Sequence, residues 1–197
     1  MTVNIKSEKN YGLIGSVLVI VGGFLGIIPY IGIIMSTVSL IGQILILLSL
    51  KGISEKLGDD RPFKYYLYSV VSGIAGAIIA IVFMAIGILS IPAFIDEADS
   101  ISTVGIAFLG IGVLVLLAAA IVGIYYAIKT WRTMYGLTGV EEFDKTATWM
   151  LWGAVTLVLF GLGLILLLVA AVYQILAFSN LPEEIETGEM ATSGQIF

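Results

Sequence analysis

Long apolar runs separated by short polar segments fill most of this chain, and they restrict it to folds that lipid solvates. The runs cover about 11–28, 31–50, 63–90, 104–128 and 145–178. A helix needs about 20 apolar residues to cross the hydrocarbon core of a bilayer, at about 1.5 Å per residue. Only 12% of the residues are charged, roughly half the share found in soluble globular proteins. The pattern predicts an all-α, polytopic membrane protein whose five-helix transmembrane bundle forms one domain.

Two polar segments flank the apolar runs. Residues 1–10 carry two lysines and predict a cytoplasmic N-terminal segment, ahead of a transmembrane domain over 11–178. A cleaved signal peptide is not favoured, because no small-residue cleavage site follows Phe24 and the run leads straight into a second apolar segment. Residues 179–197 carry four glutamates and no basic residue, a composition that predicts a disordered acidic tail.

The first two apolar runs meet at Pro29–Gly32, where proline lacks an amide donor and glycine tolerates unusual dihedral angles. The first run is slightly short for a full crossing, so the two runs form either two crossings or a re-entrant hairpin. Full crossings are favoured, because non-helical backbone exposed to lipid at mid-depth is not tolerated.

Basic residues occupy only one side of a five-crossing topology. The N-terminus and the segments 51–64 and 129–145 share that side, and the opposite side has no basic residue. The positive-inside rule then places the N-terminus in the cytoplasm and the C-terminus outside the cell membrane. Tryptophan and tyrosine concentrate near the same boundary, as an aromatic belt does. The residues assigned to setting this orientation are Lys51, Lys56, Arg61, Lys64, Lys129 and Arg132.

Two stretches share a series of landmarks: a lysine, a glycine seven residues later, a phenylalanine, and a second glycine ten residues past the phenylalanine. They predict two parallel-repeat hairpins plus an extra N-terminal helix, an arrangement that occurs in transporters. The alternative is chance, since any two helical hairpins share glycine and aromatic landmarks. The landmarks are Lys51, Gly58, Phe63 and Gly73 in the first stretch and Lys129, Gly136, Phe143 and Gly153 in the second.

The residue types that most often carry chemistry are missing or lie outside the spans. The sequence has no Cys and no His, which excludes thiolate metal sites, His-ligated haem and His-based acid–base catalysis. No Asp, Glu, Lys or Arg lies in the middle of a span, where ionisable groups mark proton relays and ion paths. The carboxylates at 59–60 and 96–99 fit helix capping and a solvated loop better than a cation site, since calcium-loop spacing is missing. No enzyme activity, catalytic residue, cofactor, metal or nucleic-acid partner is expected.

Small residues recur at four-residue spacing along the spans, and such stripes let helix backbones approach closely. Contacts within the bundle are favoured over a dimer face. One polar residue, Gln43, needs a hydrogen-bond partner in or near lipid, and an interhelical bond is favoured over a substrate contact. The residues assigned to helix packing or to an interface are Gly22, Gly26, Gln43, Ser69, Gly73, Gly76, Ala119 and Gly123.

Three stretches of the chain resemble a known family. They are GlyLeuIleGlySer at 12–16, Leu50-Lys51 with Phe63 downstream, and ThrGlyValGluGluPheAspLysThrAla at 138–147 leading to Gly153. Over about Tyr11 to Leu181 the chain is similar to an uncharacterised, mainly archaeal integral-membrane family catalogued as domain of unknown function 996. The resemblance implies a multi-pass membrane protein and supplies no activity or site residues.

The favoured function is that of a non-catalytic structural or assembly component of a membrane complex. The alternative is a small transporter or channel with a path between the two helix hairpins. The expected partners are the lipid bilayer and either a second copy of the chain or another membrane protein.

Overall fold

Helices dominate the structure, as the apolar runs predict. The computed structural model describes residues 2–26, 28, 30–90, 103–160 and 163–186, with only the backbone described for 158–160. The predicted all-α class is confirmed. The predicted acidic loop at 91–102, Pro29 and the tail residues 187–197 lie outside the described residues. The elements are β1 (Thr2–Asn4), α1 (Lys6–Leu25), α2 (Gly32–Leu57), α3 (Arg61–Ser90), α4 (Thr103–Thr138), α5 (Glu141–Phe160), α6 (Gly163–Asn180) and β2 (Glu184–Glu186).

The chain divides into two compact units. Unit 1 comprises residues 1–67 and 126–197, and unit 2 comprises residues 68–125. Unit 1 therefore holds both strands, α1, α2, α5, α6, the first turns of α3 and the last turns of α4. Unit 2 holds the remaining lengths of α3 and α4.

In unit 1, α1 and α2 form an antiparallel hairpin, and glycine residues lie where the two helices are in contact. A Cβ atom on Gly15 would lie 2.7 Å from the carbonyl oxygen of Gly42, and one on Gly22 would lie 2.5 Å from the amide nitrogen of Ser39. Distances this short exclude a side chain, so glycine lets the two helix backbones touch. This hairpin is compatible with both alternatives for the first two apolar runs.

The predicted fifth span, 145–178, is two helices rather than one. The helices α5 and α6 pack antiparallel: a Cβ atom on Gly153 would lie 2.8 Å from the Leu167 side chain, and Gly163 lies against Leu157. The chain reverses within a wholly apolar sequence, so no polar turn signal marks the reversal. The predicted five-helix bundle is therefore corrected to six helices within the described part of the chain.

The two strands pair with each other and bring the two ends of the described chain together. They are antiparallel, with Val3 opposite Ile185, and the Ile5 amide donates a 2.8 Å hydrogen bond to the Glu183 carbonyl. The start of α1 and the end of α6 therefore lie at the same end of unit 1, an arrangement that five successive crossings would not produce. The reason is the extra reversal between α5 and α6. The predicted disorder also does not hold for residues 179–186, where α6 ends and β2 forms.

In unit 2, α3 and α4 pack antiparallel along their small residues. Gly76 lies against the Ala119 side chain, and a Cβ atom on Gly87 would lie 2.8 Å from Leu109. The Ser69 hydroxyl donates a 2.8 Å hydrogen bond to a carbonyl of the opposite helix. Close backbone approach and this polar bond together hold the hairpin, because lipid supplies no hydrophobic drive between helices.

Four helices, α2, α3, α4 and α6, are long and apolar enough to cross a membrane. Large apolar side chains on them are widely exposed, with Ile33 at 82%, Leu114 at 66% and Ile121 at 65%. Apolar surface on this scale is unfavourable in water and marks contact with lipid or with another protein. The described helices indicate a multi-pass membrane protein.

The repeat landmarks do not occupy equivalent positions. Gly58 ends α2 in the left-handed conformation, with a φ of 73°. The glycine with a similar φ after α4 is Gly139, at 69°, whereas the predicted counterpart, Gly136, lies inside α4. Helices often end on a left-handed glycine, so matching caps are common between unrelated hairpins. These positions give the parallel-repeat layout no support.

Candidate functional site

Charged and hydrogen-bonding side chains gather at one end of unit 1, which we call the polar end. It comprises the two strands, the first turns of α1, α3 and α5, and the last turns of α2, α4 and α6. Side chains join these segments: Lys6 lies 3.1 Å from Glu183, and the Asn180 amide donates a 3.1 Å hydrogen bond to Glu142. The apolar lengths of the helices of unit 1 lead away from this end.

Glu8 joins α1 to α2 and to β1 through a series of polar contacts. Its carboxylate lies 2.7 Å from the Lys56 ammonium, which also donates a 2.8 Å hydrogen bond to the Asn4 carbonyl. The Glu8 carbonyl accepts a 2.6 Å hydrogen bond from the Ser49 hydroxyl. The Glu8 side chain is only 13% exposed, and a pair shielded from water is stronger than an exposed one. Sequence analysis missed Glu8, although an acid in the first turn of a helix is favoured by the helix dipole.

Asp59 fixes the start of α3. Its carboxylate accepts a 2.9 Å hydrogen bond from the Arg61 amide and lies 2.6 Å from the Arg61 guanidinium. Hydrogen bonds from that guanidinium hold the pKa of the Asp59 carboxyl below its usual range, against the opposing effect of burial. The geometry agrees with the capping role predicted for the carboxylates at 59–60.

The basic residues assigned to orientation all lie at the polar end, and those between residues 51 and 64 form ion pairs. Two more lie on α4: the Lys129 ammonium is 5.5 Å from the centroid of the Tyr65 ring, and Arg132 is exposed. Exposed ion pairs contribute little to stability, so most of these pairs add little to the stability of the fold. The pairs are Lys51–Glu55 at 3.7 Å, Lys56–Glu8 at 2.7 Å, Arg61–Asp59 at 2.6 Å and Lys64–Asp60 at 3.4 Å.

An aromatic cluster forms the core of the polar end. The Trp131 and Phe143 rings are nearly parallel, 4° apart, with centroids separated by 5.8 Å. Phe178 meets both rings edge-on, at 5.9 and 5.4 Å, and Tyr66 lies 5.8 Å from Trp131. The cluster joins α3, α4, α5 and α6. Trp131 is therefore a core residue, 1% exposed, and not a lipid-facing member of the predicted aromatic belt.

A buried polar contact links α1 to α6. The Gln174 side-chain amide donates a 2.9 Å hydrogen bond to the Ser16 hydroxyl, which in turn donates a 2.8 Å hydrogen bond to the Gly12 carbonyl. One turn along α6, the Phe178 ring lies against Gly12. The interhelical bond predicted for Gln43 is made instead by Gln174. Gln43 is half-buried and has no hydrogen-bond partner in the part of the chain that the structure describes.

Apart from Gln43, the residues assigned to packing differ in what they contact. A Cβ atom on Gly73 would meet no other atom within 4 Å. Gly26 ends α1, and its carbonyl oxygen would lie 2.5 Å from a Cβ atom on Gly32, the first residue of α2. Five others lie between paired helices, where a small residue permits close approach. They are Gly22 against α2, and Ser69, Gly76, Ala119 and Gly123 between α3 and α4.

No group of three or more Asp or Glu side chains is placed to hold a metal ion within the described ranges. Three buried polar atoms lack a hydrogen-bond partner among the same residues: Glu8 Oε2, Ser54 Oγ and Trp131 Nε1. The polar end therefore offers ion pairs, aromatic packing and boundary charges, and we assign it no reacting group.

Two comparisons with known proteins match this chain. The sequence model of a family described as "Protein of unknown function (DUF996)" matches residues 38–172. An uncharacterized protein of Methanocaldococcus jannaschii is 31% identical over 183 residues, which is 93% of this chain and 96% of the relative. No solved structure matches. The family match extends from α2 into α6 and includes the parts of the polar end that lie on α2, α3, α4 and α5.

Proposed function

This chain belongs to the DUF996 family of proteins of unknown function, and from that premise we propose that it is a non-catalytic structural or assembly component of a membrane complex. The main support is that hydroxyl groups inside the helices donate hydrogen bonds to backbone carbonyls. Ser36, Thr37 and Thr156 donate hydrogen bonds to carbonyls of their own helices. Ser69 donates to the Gly123 carbonyl of the partner helix. The hydrogen of each of these hydroxyls is therefore donated to the backbone and not to a substrate.

The outer surface of unit 2 supports a role in assembly. Gly73 on α3 and Gly110 on α4 are exposed, and a Cβ atom on either would meet no other atom within 4 Å. An open glycine on an apolar surface lets the backbone of another helix approach closely. The proposed partners are the lipid bilayer and either a second copy of the chain or another membrane protein.

Single-cysteine crosslinking tests this proposal, because the chain has no cysteine of its own. Gly73→Cys, carrying a photoactivatable maleimide reagent in native membranes, should recover a second copy or another membrane protein by mass spectrometry. The matched control is Ile78→Cys, which is 59% exposed on the same helix and about 140° around its axis. If Gly73→Cys captured no protein above the control, the assembly role would be abandoned.

We further propose that the polar end faces the cytoplasm. The basic segments 51–64 and 129–145 both belong to it, and short loops rich in Lys and Arg are retained on the cytoplasmic side. Since β1 and β2 pair at this end, the proposal puts residues 2–4 and 184–186 on the cytoplasmic side together.

A second candidate, a small transporter or channel, has one observation in its favour. From Lys145 to the end of α5 at Phe160 is about 22 Å, short of the about 30 Å of a hydrocarbon core. The stretch of α3 from Tyr65 to Ser90 is about 38 Å. The α5–α6 hairpin therefore fits an insertion that ends within the bilayer. Such insertions occur where they line a water-filled cavity or lie buried in protein.

Thiol labelling near the tip of this hairpin separates the two candidates. A small charged methanethiosulfonate reagent should reach Leu164→Cys if the hairpin lines an aqueous path, since Leu164 is exposed near the start of α6. A tip surrounded by lipid or protein stays unlabelled, and that result would remove the support for transport. Leu89→Cys, near the end of the longer α3, is the control that must be labelled in either case.

A further inference from the structure

We propose that Tyr30 anchors the α1–α2 hairpin at the membrane surface opposite the polar end, with its ring at the level of the lipid headgroups. Tyr30 lies at the tip of this hairpin, between the end of α1 at Leu25 and the start of α2 at Gly32. The proposal uses the membrane location of the chain. It depends neither on the assembly role nor on which side of the membrane the polar end faces.

The length of α2 places the tip at the far boundary of a bilayer. This helix is long and apolar enough to cross a membrane. From its first residue, Gly32, to Lys51 at the polar end is about 29 Å, which matches a hydrocarbon core of about 30 Å. No Asp, Glu, Lys or Arg occurs between Lys9 and Lys51, so no charge in the hairpin opposes a full crossing.

The side chain of Tyr30 contributes little to the packing of the hairpin. It is 97% exposed, so its ring faces the surroundings of the protein. It is also the one residue with a polar side chain between Val17 and Met35. A hydroxyl left in hydrocarbon without a hydrogen-bond partner is costly. At a membrane surface, water and headgroups supply partners for the hydroxyl while the ring contacts lipid, and tyrosine is enriched there.

The backbone at Tyr30 has a conformation that favours glycine. Its φ is 69°, and it is the one residue other than glycine with a positive φ in the described ranges. A bulky residue adopts this left-handed region at a cost in free energy. Because Tyr30 is both strained and almost fully exposed, it does not stabilise the fold, and a contact of its ring with the membrane surface accounts for its presence.

Cysteine accessibility in membranes tests the depth of the tip. The reporter is Ile33→Cys, because Ile33 is 82% exposed in the first turn of α2 and Tyr30 is retained. Intact cells and inside-out vesicles are compared with an impermeant maleimide, and Ile33→Cys should be labelled from the side opposite to Ser7→Cys at the polar end. Ile44→Cys, which is exposed and about 17 Å further along α2, should stay unlabelled from both sides.

Adding Tyr30→Ala to the Ile33→Cys chain tests the anchor itself. Alanine keeps the Cβ atom, and with it the constraint at a φ of 69°, so the change isolates the ring. Without the ring, the apolar tip should move toward lipid and labelling of Ile33→Cys should slow severalfold. Tyr30→Trp should restore the labelling, since tryptophan is also enriched at membrane interfaces. The matched control, Tyr11→Ala, removes an exposed tyrosine from α1 near the polar end and should leave the labelling unchanged.

Three results would overturn the proposal. Labelling of Ile33→Cys from neither side would place the tip within lipid or beneath another protein. Labelling from the same side as Ser7→Cys would indicate a re-entrant hairpin. Unchanged labelling in the Tyr30→Ala chain, or a loss that Tyr11→Ala produces equally, would show that the depth of the hairpin does not depend on this ring. A loss in the Tyr30→Ala chain alone, restored by tryptophan, supports the anchor.

Discussion

Gln174 on α6 donates a 2.9 Å hydrogen bond to Ser16 on α1, although the two residues are 158 positions apart in the sequence. The contact fixes the last helix of unit 1 against the first. At the polar end of unit 1, the Ile5 amide donates a hydrogen bond to the Glu183 carbonyl, and the strands beyond these residues pair. The two ends of the described chain are thus held together by side-chain and backbone hydrogen bonds.

Replacement of Gln174 by leucine is expected to destabilise the protein, because it removes the hydrogen bond to Ser16. Interhelical hydrogen bonds of this kind contribute about 0.6–2 kcal/mol. Gln43→Leu is the matched control, since it removes a glutamine that has no partner among the described residues, and its stability should be unchanged or higher. Thermal unfolding in detergent measures both, and a larger loss for Gln43→Leu would contradict the assignment.

Gly76→Ala is expected to destabilise the α3–α4 hairpin by about 1–3 kcal/mol, because the new methyl group would overlap the Ala119 side chain. Gly73→Ala on the same helix adds the same methyl group in open space. It should stabilise the helix by up to about 1 kcal/mol, since alanine has the higher helix propensity. Unfolding midpoints compare the two, and equal shifts would show that the close contact at Gly76 is not formed.

The strand pairing predicts a specific disulfide. Asn4 lies opposite Glu184 in the register, so Asn4→Cys/Glu184→Cys should form an intramolecular disulfide on mild oxidation, seen as a gel shift reversed by reductant. Asn4→Cys/Glu183→Cys is one residue out of register, and its side chains point to opposite faces of the ribbon. Efficient oxidation of this control with none in the test pair would contradict the register.

The sidedness of the termini follows from the same pairing. Ser7→Cys and Ser179→Cys are both exposed at the polar end, so an impermeant maleimide should label both in inside-out vesicles and neither in intact cells. Opposite labelling of the two sites would restore the five-crossing topology that the sequence alone favours.

Acid should weaken the start of α3. Hydrogen bonds from Arg61 lower the pKa of the Asp59 carboxyl in the folded chain. The contribution of this carboxylate to stability is therefore complete above the unfolded pKa of about 4, and it is lost as the pH falls through the pKa of the folded chain. Asp59→Asn should flatten this part of the stability–pH curve. Asp60→Asn removes only the 3.4 Å pair with Lys64, so this variant should keep most of the loss of stability that acid causes. A flatter curve for Asp60→Asn than for Asp59→Asn would contradict the assignment.

Local composition was sufficient to predict that the apolar runs form helices and that lipid is their expected solvent. Apolar runs such as 31–50 form helices because backbone groups in lipid have no other partner, and the basic segments at 51–64 and 129–145 fall at one end because water must solvate their charges. The capping role of the carboxylates at 59–60 could be predicted for the same reason, since it depends on neighbours in sequence.

Only the tertiary structure decided where the chain reverses and which polar groups meet. The chain reverses between α5 and α6 in a sequence without a polar residue, so hydrophobicity could not locate the reversal. Without it, the prediction put the end of α6 at the opposite end from the start of α1. Gln43 and Gln174 are equally polar. Among the described residues only Gln174 has a hydroxyl from a distant helix within hydrogen-bond distance, so only Gln174 forms an interhelical bond. The sequence determined which segments are apolar enough to enter lipid, because that depends on composition. Their order, pairing and partners were decided by contacts between residues far apart in the chain.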